Sequence, residues 1–421
     1  MILQAHKGLN SRQEAIPFDK DGFLPLITAP MYSVVDETNY QVFLNNKVHV
    51  CLPRGEKMTI DDKYFSSVSL QDFNKYYINA HYGKSSWKEL IDTTSIFLKK
   101  TRKVKVCIDT ANGNMPQLHE AIRKAKELHG DSIIIMAGNV GSENAFLELA
   151  KTGVDYIRVG IGGGAACNTT ANTGVGQHSL GGLIWECNNT RERYKTALTN
   201  DNGYRRTEGW ENVANVKIVA DGISSYIKFC QEQWGFYDNG YAAINTLLYN
   251  GADLVMIGSL FTQCLESAGE KGITSFNGVE SFEVWNNRRL SSGVFGLPQI
   301  DSFEDLFKRQ NRRIGLVVKL QGMSTKEAQK KYRNPIESGQ MEIIDFQTGT
   351  SEVIGEPIHY YGNRIRPSEG KTIWVPVRWT LNEWLYGNGT DELPGFVNML
   401  KSAMAYLGAT KLEEINNEFK S

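Results

Sequence analysis

The chain is 421 residues long, 41% hydrophobic and 22% charged, with a formal net charge of −1. That length fits two or three small domains or one large barrel with additions, and the near-zero charge gives no electrostatic reason to expect a nucleic acid or an anionic membrane as partner. No charged-then-apolar leader opens the sequence and no apolar run is long enough to span a bilayer, so a reducing cytoplasm is the expected setting; six cysteines without a C-x-x-C pair or a local His cluster argue against structural zinc or a disulfide framework.

Short β-rich runs recur at 24–28, 48–51, 76–80, 104–108, 133–137, 156–159, 216–220 and 254–257, each followed by a segment that can be helical. This alternation predicts an α/β protein built as a (β/α)8 TIM barrel. Helix signals are clearest at 115–128, 142–152 and 241–250, where apolar residues recur at helical spacing and Gly153 or Gly251 stops the run. Asp109, Asn139, the stretch 160–167, Asp221, and Gly258 with Ser259 stand directly after the last five runs. In a barrel those positions open on one face, so residues distant in sequence meet around one pocket.

The stretch G-I-G-G-G-A-A-C-N-T-T (160–170) is the strongest single signal. A thiol on a glycine-rich loop can swing against a bound ring, and the amides of Gly162, Gly163 and Gly164 can approach an anion closely. Taken alone, the loop reads equally well as a glycine turn with a small buried cysteine. It is no dinucleotide fingerprint, because the expected strand, helix and ribose-binding acid do not follow in register.

The motifs L-P-L-I-T-A-P-M (24–31), C-I-D-T-A-N-G (107–113), I-M-A-G-N-V (135–140), the cysteine loop through N-T-G-V-G (172–176), V-A-D-G (219–222), M-I-G-S-L (256–260), Q-G-M-S (321–324) and R-P-S-E-G-K-T (366–372) stand in order along most of the chain. Together they resemble the inosine monophosphate dehydrogenase and guanosine monophosphate reductase family. The wording D-T-A-N-G-N around Asp109 and R-P-S-E-G-K before V-P-V resemble the reductase branch, and no Arg-Tyr flap of the dehydrogenase kind stands out. The resemblance implies one elaborated barrel domain over 1–421 with no separate regulatory domain.

What the resemblance implies chemically is covalent catalysis. Cys167 attacks C2 of a purine nucleotide, ammonia leaves, and a reduced nicotinamide, NADPH with NADH as the alternative, delivers hydride to the same carbon. Glu369 acting through Thr169 matches the family's general acid; from its setting alone Glu369 reads as a solvated loop carboxylate. By the same resemblance Asp221 meets the ribose diol, Gly222, Gly258 and Ser259 meet the phosphate, and Met31, Gly322, Met323, Ser324 and Arg366 complete the substrate site. As a residue type after a strand, Asp221 reads equally as a helix N-cap. Asp109, Asn139 and Lys371 are placed near the cofactor, and the carbonyls of Gly162, Gly164 and Cys167 match a potassium site. The implied assembly is a homotetramer.

Departures from the family pattern cluster on the phosphate and sugar side. Ala165 stands where the family has serine, Gln321 where it has tyrosine, Ile223 where it has the second glycine of D-G-G, and Tyr32 where it has aspartate. They imply a retained reaction on an altered substrate, a deoxy or modified guanine nucleotide, or poor use of GMP, or rescue by basic residues of a 188–215 insertion. That stretch holds Arg191, Arg193, Lys195, Arg205 and Arg206, and reads either as a pocket cover or as a mixed surface loop. A second aromatic-rich excursion is expected at 224–239, and 339–356 alternates like a flap hairpin. Oxidation at C2 in the dehydrogenase sense and a non-catalytic nucleotide-binding barrel are the alternatives.

Overall fold

The computed structural model describes residues 7–54, 63–78, 103–177, 179–199, 209–275, 278–291, 299–310, 314–322, 325, 341–344, 351–354, 360–361, 364–365 and 370–415. Strands β1 (Leu26–Thr28), β2 (Cys51–Leu52), β3 (Phe65–Val68), β4 (Val104–Asp109), β5 (Ile133–Val140), β6 (Tyr156–Val159), β7 (Lys217–Ala220) and β8 (Leu254–Ile257) form one parallel sheet in the order β1-β8-β7-β6-β5-β4-β3-β2. The gap between β1 and β2 is spanned by a bridge between Ile27 and His49, with His49 N donating to Leu26 O and Thr28 N donating to His49 O, both at 3.0 Å. The sheet is therefore a near-closed (β/α)8 barrel, as predicted.

Parallel strands buried on both faces read as short apolar runs, and the two faces here feed two clusters. Ile27, Cys51, Phe65, Cys107, Met136, Val219, Leu254 and Met256 fill the interior. Their neighbours, among them Leu26, Val106, Ile135, Ile157, Ile218 and Val255, point outward into the layer shared with the helices. The predicted helices are present as Pro116–His129, Glu143–Ala150 and Tyr241–Tyr249. Pro116 opens the first, where its missing N–H costs nothing, and Ser142 caps the second by accepting from Ala145 N at 3.2 Å.

The third strand differs from expectation. The run at 76–80 begins inside the helical turn Asn74–Ile78, and its last two residues lie outside the described ones; the strand is Phe65–Val68. The tyrosine-rich pattern belongs to a helical segment that packs on the barrel, where Phe73 and Tyr77 stack with centroids 5.1 Å apart. The true strand was hidden by Ser66 and Ser67, which are buried. Ser67 Oγ lies 3.4 Å from Cys51 Sγ, so a neighbouring strand satisfies the hydroxyl.

Acidic residues tie down the strand starts at the barrel's N-terminal end. Asp155 accepts from Ile135 N at 2.7 Å and Lys126 Nζ at 2.6 Å, and Asp253 accepts from Ile218 N at 2.7 Å and Arg191 Nη1 at 2.5 Å. Arg191 also donates to the carbonyls of Val216 and Gly251. It belongs to the helix Leu180–Thr199, so the first part of the expected 188–215 insertion is a barrel helix braced at the end opposite the strand C-termini. Arg193 pairs with Glu143 and Lys195 with Glu192; Arg205 and Arg206 lie outside the described residues. The expected excursion at 224–239 is largely the helix Ile223–Trp234 that follows β7, an ordinary barrel unit.

Beyond the barrel, β9 (Lys271–Ser275), β10 (Gly278–Glu280), β11 (Gly315–Gln321) and β16 (Thr372–Pro376) make an antiparallel sheet in the order β10-β9-β11-β16. It has its own apolar cluster, including Ile273, Trp285, Leu306, Leu316 and Val318. The predicted hairpin is present as β12 (Met341–Ile344) paired antiparallel with β13 (Ser351–Ile354); its Q-T-G-T turn lies outside the described residues. A further pair joins β14 (Tyr360–Tyr361) to β15 (Arg364–Ile365). Helices Leu381–Tyr386 and Phe396–Leu407 return to the barrel and lie on the helix Tyr241–Tyr249. Among the described residues, no helix is long and apolar enough to cross a membrane.

Candidate active site

Cys167 lies on the loop after β6, and it is the one partly exposed thiol among six free cysteines, the other five being buried. That exposure removes the reading of a core cysteine. The thiol donates to Thr169 Oγ1 at 3.3 Å, so cysteine and threonine project together, as the two-residue spacing implied. Cys167 N donates to Gly164 O at 3.0 Å, closing a tight turn.

Two neighbours press on this loop. The first is the turn after β7: Gly222 adopts φ 78, and a Cβ there would meet backbone atoms of Gly163 at 3.1–3.2 Å. A Cβ on Gly163 would lie 2.1 Å from Gly222 O, so only glycines allow the two backbones this close. The second neighbour is the antiparallel sheet. Cys167 forms a bridge with Gly370, Lys371 N donates to Ala166 O at 3.0 Å, and Gly322 N donates to Lys371 O at 3.1 Å. The sheet thus brings Gly322 of Q-G-M-S, and Gly370 and Lys371 of R-P-S-E-G-K-T, against the cysteine loop. Met323, Ser324, Arg366 and Glu369 lie outside the described residues, while their neighbours Gly322 and Gly370 stand at this junction.

The strand ends carry a charged ring. Arg158, on β6, donates from Nη1 to Asp109 Oδ1 at 2.6 Å and from Nη2 to Asp221 Oδ2 at 2.7 Å. Arg54, just after β2, donates from Nη2 to Asp109 Oδ2 at 2.8 Å. Asn139 Nδ2 donates to Gly160 O and to Asp221 Oδ2, both at 2.7 Å, and Gly222 N donates to Asp221 Oδ1 at 2.7 Å. Burial alone would raise the Asp109 carboxyl, but the Arg54 and Arg158 guanidinium groups outweigh it and hold the group well below its ordinary range. Both Asp109 oxygens are thereby engaged by arginine, and the carboxylate holds the Arg54 and Arg158 side chains in place. Asn139 has Oδ1 without a hydrogen-bond donor among the described residues, an acceptor that fits a carboxamide.

Arg158 and Arg54 were missed by sequence reasoning. The signal was present for the first: an arginine inside the otherwise apolar run Y-I-R-V, which a barrel tolerates only when the charge is paired. The remaining expected residues fall at the same mouth. Ser259 Oγ lies 2.8 Å from Ser224 Oγ, and Met31 sits beneath Gly258, whose added Cβ would lie 3.3 Å from Met31 Sδ. Lys371 has an exposed side chain. Gly164 O accepts from Cys167 N and, like any carbonyl, keeps a second acceptor direction.

Fold and site together define a parallel (β/α)8 barrel with an accessible thiol on the loop after β6, clamped between the glycine turn after β7 and a second sheet. The family profile described as IMP dehydrogenase / GMP reductase domain matches residues 76–226. A protein of Caenorhabditis elegans named GMP reductase is 24% identical over 392 residues, 93% of this chain and 78% of its own length. One of Phytophthora infestans with the same name is 26% identical over 311 residues, 74% of this chain and 68% of its own. An inosine-5'-monophosphate dehydrogenase of Staphylococcus haemolyticus is 27% identical over 191 residues, 43% of this chain and 38% of its own. The similarity to the IMP dehydrogenase / GMP reductase domain thus lies in residues 76–226, and the relatives named GMP reductase extend it over most of the chain.

Proposed function

We propose that the chain is a GMP reductase-like enzyme that reductively deaminates a guanine nucleotide, GMP or a deoxy or modified relative, to the inosine nucleotide and ammonia. The observation that carries the reading is the bridge between Cys167 and Gly370, because it sets the sequence neighbour of Glu369 against the thiol and its hydroxyl partner Thr169. Cys167 Sγ adds to C2 of the purine, and the C2–N bond breaks as Glu369, through Thr169, supplies the proton with which ammonia leaves. NADPH, when bound, supplies the hydride that forms the new C2–H bond. The C2–S bond then breaks and Cys167 is free for the next turnover.

Asn139 Oδ1 would hold the nicotinamide carboxamide and Lys371 would line the cofactor site, while Asp109 holds Arg158 in place. Asp221 keeps the ribose side, with Met31, Gly322, Met323, Ser324 and Arg366 around base and sugar. A potassium ion held by the Gly162, Gly164 and Cys167 carbonyls would fix the loop. The assembly read from the resemblance is a homotetramer, to be checked by sedimentation. The dehydrogenase relatives keep the oxidative sense, IMP with NAD, as the second reading.

The test is spectrophotometric. Wild-type protein with GMP or dGMP should consume NADPH and release ammonia in equal amounts, and Cys167→Ala should abolish turnover while nucleotide binding persists. Reduction of NAD in the presence of IMP, with no NADPH consumption on any guanine nucleotide, would reverse the assignment.

A further inference from the structure

We infer that Gln177 is a positioning residue for the reaction, a clasp that closes the loop carrying Cys167 and Thr169 back onto its own start. Its consequence for turnover rests on the reaction described under the proposed function; the clasp itself does not.

The Gln177 side chain reaches back sixteen residues, where its Oε1 accepts from Ile161 N at 2.5 Å, two residues after the end of β6. Its Nε2 stands against the next turn, 3.1 Å from where a Cβ on Gly163 would lie. Residues 171–176 are exposed and Gln177 is partly buried, so an exposed run ends in a side chain turned inward. The return path is specified locally. The short helix Thr169–Thr173 stops at Gly174, which takes φ 73, and Thr170 Oγ1 donates to Val175 O at 2.8 Å. A Cβ on either Gly162 or Gly176 would collide with Thr170 Oγ1, so two glycine backbones close around that hydroxyl. The stretch 161–177 is thereby a closed circuit with Cys167 and Thr169 within it.

Other contacts tie this loop to the rest of the barrel: Asn139 donates to Gly160 O, Ser225 N to Gly163 O, and Lys371 N to Ala166 O. Gln177 instead ties the loop to itself, at the entry to the glycine run that leads into the Gly164–Cys167 turn. With Ile161 N released, Gly162, Gly163 and Gly164 gain the backbone freedom that glycine permits, and the thiol and its hydroxyl partner lose their fixed approach to C2. A cost of this kind falls on kcat, because the strand-end residues after β7 and β8 are untouched and binding persists.

The test compares wild type with Gln177→Leu, Gln177→Met and Gln177→Glu by kcat, by GMP calorimetry, and by iodoacetamide labelling without nucleotide. Leucine and methionine remove the acceptor, methionine keeping the length of the side chain if the leucine variant does not fold; glutamate keeps an Oε acceptor for Ile161 N. The first two should lower kcat on the order of tenfold to a hundredfold with GMP affinity unchanged, and Gln177→Glu should recover most of the rate. Iodoacetamide should label Cys167 alone in all four proteins, and several times faster in the leucine and methionine variants, since the other five cysteines are buried. Labelling of further thiols in those variants would mean a general loosening of the barrel, and equal losses of kcat and GMP affinity would mean a binding role. Either result overturns the inference, as does a wild-type kcat. Wild type that turns over no guanine nucleotide would refute the proposed reaction; the labelling rates would then decide the clasp by themselves, and unchanged rates would refute it as well.

Discussion

Arg158 joins two carboxylates that sequence reasoning treated as separate ligand groups. Its side chain is 9% exposed and meets Asp109 at 2.6 Å and Asp221 at 2.7 Å. A buried charge of this kind is weak evidence for stability, but removing one partner is costly because the other charges stay behind. Arg158→Met should therefore cost about 3–5 kcal/mol in urea unfolding, more than a surface arginine. The pH dependence follows from Asp109, whose unfolded-state value is 3.8 and whose folded carboxyl is held well below it. Its stabilising contribution is fully present above about pH 4 and is lost as pH falls through the folded value. Asp109→Asn should be less stable at neutral pH and should lose stability less steeply than wild type between about pH 4 and 2. Parallel acid limbs for the two proteins in unfolding titrations would show that the arginine pair does not set this slope.

At the scale of elements, the critical joint is the one between the antiparallel sheet and the cysteine loop. A Cβ on Gly322 would lie 2.6 Å from Ala166 O and 3.2 Å from Gly370 Cα, so Gly322→Ala must push the loop and the 370–371 segment apart. Displacement by about an ångström commonly costs on the order of a hundredfold in rate. Turnover should fall by roughly that factor with the circular dichroism spectrum unchanged; wild-type turnover would mean that the joint is not needed for chemistry. This joint was legible only as two motifs, Q-G-M-S and R-P-S-E-G-K-T, because long-range antiparallel pairing leaves no local periodicity to read. Seven barrel strands were legible because burial on both faces forces apolar runs. The third was not, since the buried Ser66 and Ser67 look polar in sequence, although Ser67 finds its partner in Cys51 on the neighbouring strand. In the 188–215 stretch, open to either reading in sequence, Arg191 proves to be a charge on the barrel floor, where Asp253 and two carbonyls take it up.

At the scale of the whole molecule, the two ends of the described chain meet beside the barrel. Leu9 N donates to Ala405 O at 2.9 Å and Ile16 N to Thr410 O at 2.8 Å, so the N-terminal segment is held by the last long helix. That helix is held in turn by an aromatic cluster: Trp384 stacks on Phe396 with centroids 5.6 Å apart and meets Tyr241 at 5.2 Å and Phe261 at 5.4 Å. Its indole donates to Asn239 O at 3.1 Å, and its carbonyl accepts from Tyr241 Oη at 2.7 Å. Tyr241 begins the helix before β8, and Phe261 follows β8 directly, so the cluster connects both chain ends to the strand that closes on β1. Trp384→Ala should cost about 3–5 kcal/mol, through the lost apolar burial and the cavity left among three rings. Trp384→Phe, which keeps a ring but loses the N–H bond to Asn239, should cost less. Because none of the cluster's residues stands on the cysteine loop or in its joint with the second sheet, both variants should retain GMP affinity at temperatures where they remain folded. A loss confined to nucleotide binding, with the unfolding midpoint unchanged, would refute the role of this cluster as the clasp between the chain ends and the barrel.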